Sequence, residues 1–370
     1  MLLCTVAFSG HVNAEAEKKS NDPMSTNSPV DVVRDVRDVK TPLTYQKGDI
    51  VVVPIPLSNP TFGTGLIVGG AYFYGQTEQQ KQSQPASFTG AAGVYTNNDS
   101  YAIGITQQNY WDEDKWRFNA VGGYVDFRLE LRVPATDNDQ LLDWLVDGVI
   151  FQTTLSRELY KGWYLGIVGR YMDFYQELSL VLPDDSYALG SNVTSIGGGL
   201  NLQYDSRDVP TNAYQGRFFE AQALSSVSSG DVNETYQSYS LRFRSYHQLA
   251  DPFVLAVDLS WCDRIGKVPL WDTCRLSLRG FPLTDYLGIE SYQGQVEARW
   301  RAYKKLGFVA FGGYGYVGRS FSDALDNERV PSAGVGVRYM VLESKRINLR
   351  VDYARSGNSE AWYLSVGEAF

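Results

Sequence analysis

From about residue 49 to residue 370 the chain repeats one unit, 9 to 14 residues in which apolar and polar side chains alternate, followed by a turn or loop. In PFVLAVDLSWC, Phe253, Leu255, Val257, Leu259 and Trp261 fall on one side and Ala256, Asp258 and Ser260 on the other. In SIGGGLNLQYD, Ile196, Leu200, Leu202 and Tyr204 oppose Ser195, Asn201, Gln203 and Asp205. Near the end, Ile347, Leu349, Val351 and Tyr353 oppose Arg346, Asn348, Arg350 and Asp352. A strict period of two is the signature of a β-strand with one apolar and one polar face. The chain is therefore expected to be all-β.

Which face points inward decides the class. The polar faces carry Asp126, Arg128, Glu130, Arg132, Arg170, Asp258, Glu297, Arg299, Arg338 and Arg350. In a soluble sandwich these would lie in water and the aliphatic faces would pair as a core. In an outer-membrane barrel the aliphatic faces meet lipid and the charges line a wet lumen. Strand length separates the two, since a tilted membrane-spanning strand needs roughly 9 to 11 residues and globular strands average about 5 to 6. Most strands here reach the longer figure, so a transmembrane antiparallel β-barrel is expected. Aromatic content agrees: 25 Tyr, 17 Phe and 8 Trp accompany 35 Gly, with only 20% charged residues. Trp111, Trp163, Tyr236, Trp261, Tyr316 and Trp362 stand at strand ends, where interfacial girdles form.

The expected strands are 49–56, 62–75, 87–97, 99–110, 115–131, 147–158, 162–175, 193–205, 215–227, 235–247, 252–262, 289–303, 306–318, 332–342, 346–355 and 361–370. That makes sixteen, the even number a single-chain bacterial barrel requires. Pro54 and Pro56 mark the first as short and edge-like. Short connections such as 249–252 and 304–307 are assigned to the periplasmic side, and the long ones, 176–192 and 263–288, to the exterior. The 76–86 connection breaks this rule, being long yet periplasmic.

Upstream of the barrel, which is taken as 48–370, residues 1–14 (MLLCTVAFSGHVNA) form an apolar run ending in a small-residue site. They read as an export signal, possessing no basic start, cleaved before Glu15. Residues 15–47 alternate charges and read as a solvated periplasmic linker.

Several function classes fall away. No run of about 18 apolar residues is present, so helical spans are excluded. A net charge of −9 argues against nucleic acid, which needs a clustered basic excess. With only His11 and His247, histidine metal centres and triads are not expected. Ser245 and His247 have no acidic orienter in sequence, so no catalytic residue, cofactor or metal is assigned and an enzyme is not expected. Cys4 would leave with the signal; Cys262 and Cys274 bracket the start of the longest loop in an oxidising compartment, and a disulfide between them is expected.

Three features in fixed order carry a resemblance. Asp205, Ser206, Arg207 and Asp208, followed by Pro210 and Gly216, form a charged turn; Leu278, Arg279, Gly280 and Phe281 lie in the long loop; and the last strand ends Gly367, Glu368, Ala369, Phe370. Together they resemble the bacterial surface antigen family, the BamA/TamA superfamily of sixteen-stranded outer-membrane barrels that insert or translocate proteins. The likeness covers about residues 49–370, as in a form lacking the periplasmic POTRA domains. It implies that the sixth extracellular loop folds into the lumen, where Arg279 of the Arg279-Gly280-Phe281 tip bonds to the inner wall. Glu297 matches an acidic position of the family, but Gly313 stands where Phe-x-Asp-x-Gly places an aspartate, leaving the lock weaker or dependent on Glu297 alone. Gly367 and Phe370 resemble the end of the C-terminal strand that the outer-membrane assembly machinery recognises, with Phe370 on the face of Leu364 and Val366. The Asp205, Arg207 and Asp208 turn is read as structural, its charges fixing the hairpin on the periplasmic side.

The resemblance implies a non-enzymatic insertase or translocase, with a weak seam where Val51–Pro56 or Gly63–Tyr74 meets Ala361–Phe370. Its partners would be outer-membrane lipid, the assembly machinery, and a protein or lipid client. The alternative is a diffusion pore or structural barrel with a loop-plugged charged lumen.

Overall fold

The computed structural model describes residues 49–133, 140–181, 186–318, 329–343 and 346–370. The export segment, Cys4 and the linker lie outside them. Among the described residues, sixteen antiparallel strands close into a barrel. In chain order they begin with β1 (Asp49–Asn59), β2 (Gly63–Phe73), β3 (Phe88–Thr96), β4 (Tyr101–Trp111), β5 (Trp116–Val133), β6 (Gln140–Tyr160), β7 (Trp163–Val181) and β8 (Ser186–Asp205). Then follow β9 (Gly216–Gly230), β10 (Thr235–Ala250) and β11 (Phe253–Ile265). Two short strands, β12 (Cys274–Arg275) and β13 (Leu287–Gly288), pair with each other inside the next loop. The wall resumes with β14 (Glu290–Tyr303), β15 (Leu306–Gly318), β16 (Val330–Leu342), β17 (Ile347–Ser356) and β18 (Ser359–Val366). β1 meets β18 to close the ring.

The expected strands all occur, with instructive departures. β1 is not short: it runs 11 residues and pairs with β2 from Asp49 to Asn59. The long connection after β2 contains a helix, α1 (Glu78–Ser83), started by a capping box in which Thr77 and Gln80 bond each other's backbone N–H. β5 to β8 reach 18 to 21 residues, well beyond a membrane span.

Outward-facing residues along the middle of the wall are apolar and exposed, among them Ile105 at 64% and Ile167 at 63%. Aromatic pairs bound this band. Tyr101 and Tyr124 lie near the end that carries the long loop; Trp163 with Tyr204, and Phe253 stacked on Trp300, lie near the end of the tight turns. Tyr236 is not part of a girdle, because it is fully buried inside.

Beyond the Tyr101–Tyr124 level the faces exchange character. Leu129, Leu131, Trp144, Val146, Phe174 and Val193 are buried inside, packed with Phe62 and Trp271 from connecting segments. Arg128, Glu130 and Arg132 are exposed on the opposite face of β5, which Asp126 shares. Asp126, Arg128 and Glu130 belong outside, not on the lumenal face, while Arg132, at the far end of the strand, reaches the Asp285 carboxylate of the loop before β14 at 3.7 Å. The reason is local: past the apolar band the outer surface is polar, and the interior is filled by packed loops, so the usual soluble arrangement returns.

Candidate functional site

The loop between β11 and β14, residues 266–289, is the sixth at its end of the barrel and the longest. Its Arg279 is buried against the inward faces of β14 and β17. Nη2 lies 2.6 Å from Glu297 and Nη1 2.7 Å from Asp352, both carboxylates fully buried. Gln295 accepts from Nε at 3.2 Å and from Nη2 at 2.9 Å. The guanidinium stands 3.3 Å from the centre of the Phe311 ring. A planar, always-charged fork suits this site, since it divides between two carboxylates and still stacks on an aromatic face.

Glu297 is thus not the sole acid. Asp352 supplies the second carboxylate from β17, in place of the aspartate absent at Gly313. A Cβ at Gly313 would lie 2.4 Å from the Gly294 carbonyl oxygen, so no side chain fits there without a backbone shift. Asp352 was visible only as a polar residue in an alternating strand.

Gly280 adopts φ +121°, and a Cβ there would approach the Arg355 carbonyl carbon to 2.9 Å. Its N–H donates to Tyr363 Oη at 2.8 Å, while Ser332 donates its hydroxyl to the Arg279 carbonyl. Phe281 is buried with Leu276, Leu278 and Val330. Two residues on, the Leu283 N–H donates to Thr61 Oγ1 in the β1–β2 turn at 2.8 Å.

A second cluster, not anticipated from sequence, holds the first half of the loop. Asp272, in a single 3-10 turn (Leu270–Asp272), pairs with Arg170 of β7 at 2.6 Å and Arg264 of β11 at 3.5 Å. Tyr236 of β10 donates to it at 2.9 Å. Burial pushes the Asp272 carboxyl up, but the charges of Arg170 and Arg264 and the Tyr236 hydrogen bond outweigh it, holding the group below the usual carboxylate range. Adjacent Trp271 packs on Phe174, with ring centres 5.0 Å apart. A disulfide joins Cys262 of β11 to buried Cys274, with Cα atoms 5.7 Å apart.

At the opposite end, Arg207 forks onto Asp205 at 3.0 and 2.7 Å. Asp208 accepts from the Tyr214 N–H and pairs with Arg346, across the barrel mouth, at 2.6 Å. The turn thus reaches beyond its own hairpin. The last strand is shorter than expected: β18 stops at Val366, Gly367 turns the chain at φ +96°, and Phe370 packs inside against Ala213, Tyr246 and Ala256. Phe370 therefore does not share a strand face with Leu364 and Val366.

The closing junction is sparse. β1 and β18 share one register pair, Ser58 opposite Leu364, whereas β17 pairs with β18 from Leu349 to Ser356. Pro54 and Pro56 have the same parity, so the two missing N–H donors lie on one edge of β1. β2, despite Gly63, Gly65, Gly69 and Gly70, pairs with β1 without a break from Asp49 to Asn59.

The sequence matches no protein-family model and no curated protein. The fold is similar to those of several solved structures, among them the following three. BamA from Haemophilus ducreyi lacking POTRA domains 1–3 aligns at 13% identity and TM-score 0.56, over 88% of this chain and 70% of that one. CdiB from Acinetobacter baumannii aligns at 11% and 0.56, over 87% and 60%. CdiB from Escherichia coli aligns at 10% and 0.56, over 92% and 70%. At such identities the likeness is one of fold, and the chain spans 60 to 70% of those structures' length.

Proposed function

We propose that this protein is a bacterial outer-membrane barrel of the insertase or translocase type, helping a protein or lipid enter or cross the membrane without bond chemistry. The tight-turn end faces the periplasm and the long loops face the exterior. The observation that carries this reading is the β1–β18 junction, a single register pair beside a lumen occupied by loop side chains. A ring that opens at one weak junction offers a lateral path into lipid; the Arg279 lock keeps the axial path shut meanwhile. The last strand serves the assembly machinery before the barrel closes, since Phe370 is inside once it has. The lipid-facing band binds outer-membrane lipid.

Crosslinking tests the reading. Single cysteines at Ser58 and at Leu364, in cells and with Cys4 replaced by serine, are expected to capture nascent outer-membrane proteins or lipid carriers at the junction; Cys262 and Cys274 are bonded to each other and silent. Capture of nothing at either site, with the barrel folded, overturns it. A large, steady conductance of the unaltered protein in planar bilayers would mark a diffusion pore instead, whereas small flickering currents that grow on Arg279→Ala fit a loop-closed translocator.

A further inference from the structure

Residues Gly367–Phe370 leave the wall and lie within the barrel. The Gly367 N–H donates to the Asn348 carbonyl at 2.7 Å. The Glu368 carboxylate, 3% exposed, accepts from Arg338 Nε at 2.8 Å and Asn348 Nδ2 at 2.5 Å, with Arg299 at 4.0 Å. Arg299 Nη2 donates to the Phe370 backbone oxygen at 3.0 Å, and its guanidinium stands 5.6 Å from the Phe370 ring centre. The two arginines that hold this tail do not serve it alone. Arg338 Nη1 lies 2.5 Å from one oxygen of Asp352, whose other oxygen holds Arg279. Arg299 Nε lies 2.8 Å from one oxygen of Glu297, whose other oxygen holds Arg279 as well.

We propose that Gly367–Phe370 is a self-docked latch, and that its release is coupled to release of the Arg279 loop tip through the shared carboxylates Asp352 and Glu297. The sign follows from the charges. Arg279, Arg299, Arg338 and Arg350 face Glu297, Asp352 and Glu368, and Arg299 also meets the Phe370 oxygen. Removing Glu368 takes a negative charge from this cluster and disfavours keeping Arg279 in place. Removing Arg279 takes a positive charge from it and weakens the hold on Glu368. Each element therefore stabilises the other, although Arg279 does not bond to the tail. This coupling holds whether or not a client passes the barrel, so it stands apart from the function proposed above.

The test places a cysteine at Ala369 in the full chain and follows its labelling by a bulky maleimide in the folded, detergent-solubilised barrel. Glu368→Gln is expected to speed labelling by about fivefold or more, and Arg279→Gln to do likewise from a distance, the range typical of coupled sites. Because coupling is reciprocal, Glu368→Gln should also speed tryptic cleavage after Arg279. Should Glu368→Gln block assembly, Phe370→Ala loosens the same latch from its other anchor, and Arg279→Met, neutral and of similar length, replaces the glutamine variant in the same way. Labelling unchanged by either tail variant would refute the latch. Labelling that responds to the tail variants but stays within about twofold of the parent for the Arg279 variants would refute the coupling.

Discussion

Arg279→Ala would leave Glu297 and Asp352, both without access to water, short of one cation. Breaking a buried ion pair from one side costs about 3 to 5 kcal/mol, and the remaining pairs with Arg299 and Arg338 place the loss near the lower figure. A lowered temperature at which the folded barrel loses its compact migration on gels would register it. Gly280→Ala should cost more than about 1 kcal/mol by the same measurement, since the native φ is positive and the new Cβ meets the Arg355 backbone. Acid acts on Asp272. Its folded pKa lies below the ordinary value, so its contribution is complete above about pH 4 and is lost as pH falls through the lowered value. Trp271 fluorescence should report that release, and Asp272→Asn should abolish the pH step. Arg279 and Glu297 were legible through the family resemblance, which places the Arg279-Gly280-Phe281 tip in the longest loop and an acidic residue on the next strand; as an isolated tripeptide the tip carries no such signal. Asp352 and Asp272 were not, because Arg279 stands 73 residues from the first and Arg170 102 residues from the second, and only the closed wall unites them.

The loop is held on Arg170 and Arg264 through Asp272, on β11 through the Cys262–Cys274 disulfide, on β14 and β17 through Arg279, on the β1–β2 turn through Leu283, and on Arg132 of β5 through Asp285. Arg279→Ala alone should therefore free the tip and leave the first half docked, with full tryptic cleavage after Arg275 appearing only when Asp272→Asn is added. Replacing Cys262 and Cys274 by serine should destabilise that first half by about 3 kcal/mol, as expected for closing a loop of this size. At the other element of interest, Pro54→Val with Pro56→Val restores two N–H donors to one edge of β1. Hydrogen exchange at the β1–β18 junction should slow if that edge faces β18. Period-two alternation made the sixteen strands readable to within a few residues in the thin part of the wall. It failed to bound β5 to β8, because beyond the apolar band the alternation persists while its inside and outside exchange roles, and it overran β18, because Gly367 turns a chain whose residues still alternate.

For the whole molecule, the apolar band predicts how the barrel sits. Ile105→Arg, in the middle of the outward face of β4, should cost about 2 to 4 kcal/mol in lipid vesicles, the figure for arginine at the bilayer midplane. Leu141→Arg should cost little, since Leu141 is opposite Arg132 beyond the aromatic boundary. Equal penalties at the two positions in an equilibrium unfolding titration would displace the band. The barrel class was readable from strand length and face chemistry together; the apolar cap around Trp271 was not, because it is assembled from strand extensions and loops with no common period. The junction of β1 and β18 has a consequence in time as well as in space. Ser58 and Leu364 are 364 − 58 = 306 residues apart, so joining them confines nearly the whole described wall in one loop, against an entropy that grows with its length. Every other wall junction joins wall strands that follow one another along the chain, so it closes a far shorter loop. Ring closure is then expected to come last in folding and its reversal first in unfolding, so hydrogen exchange at Ser58 and Leu364 should be faster than at any other wall junction.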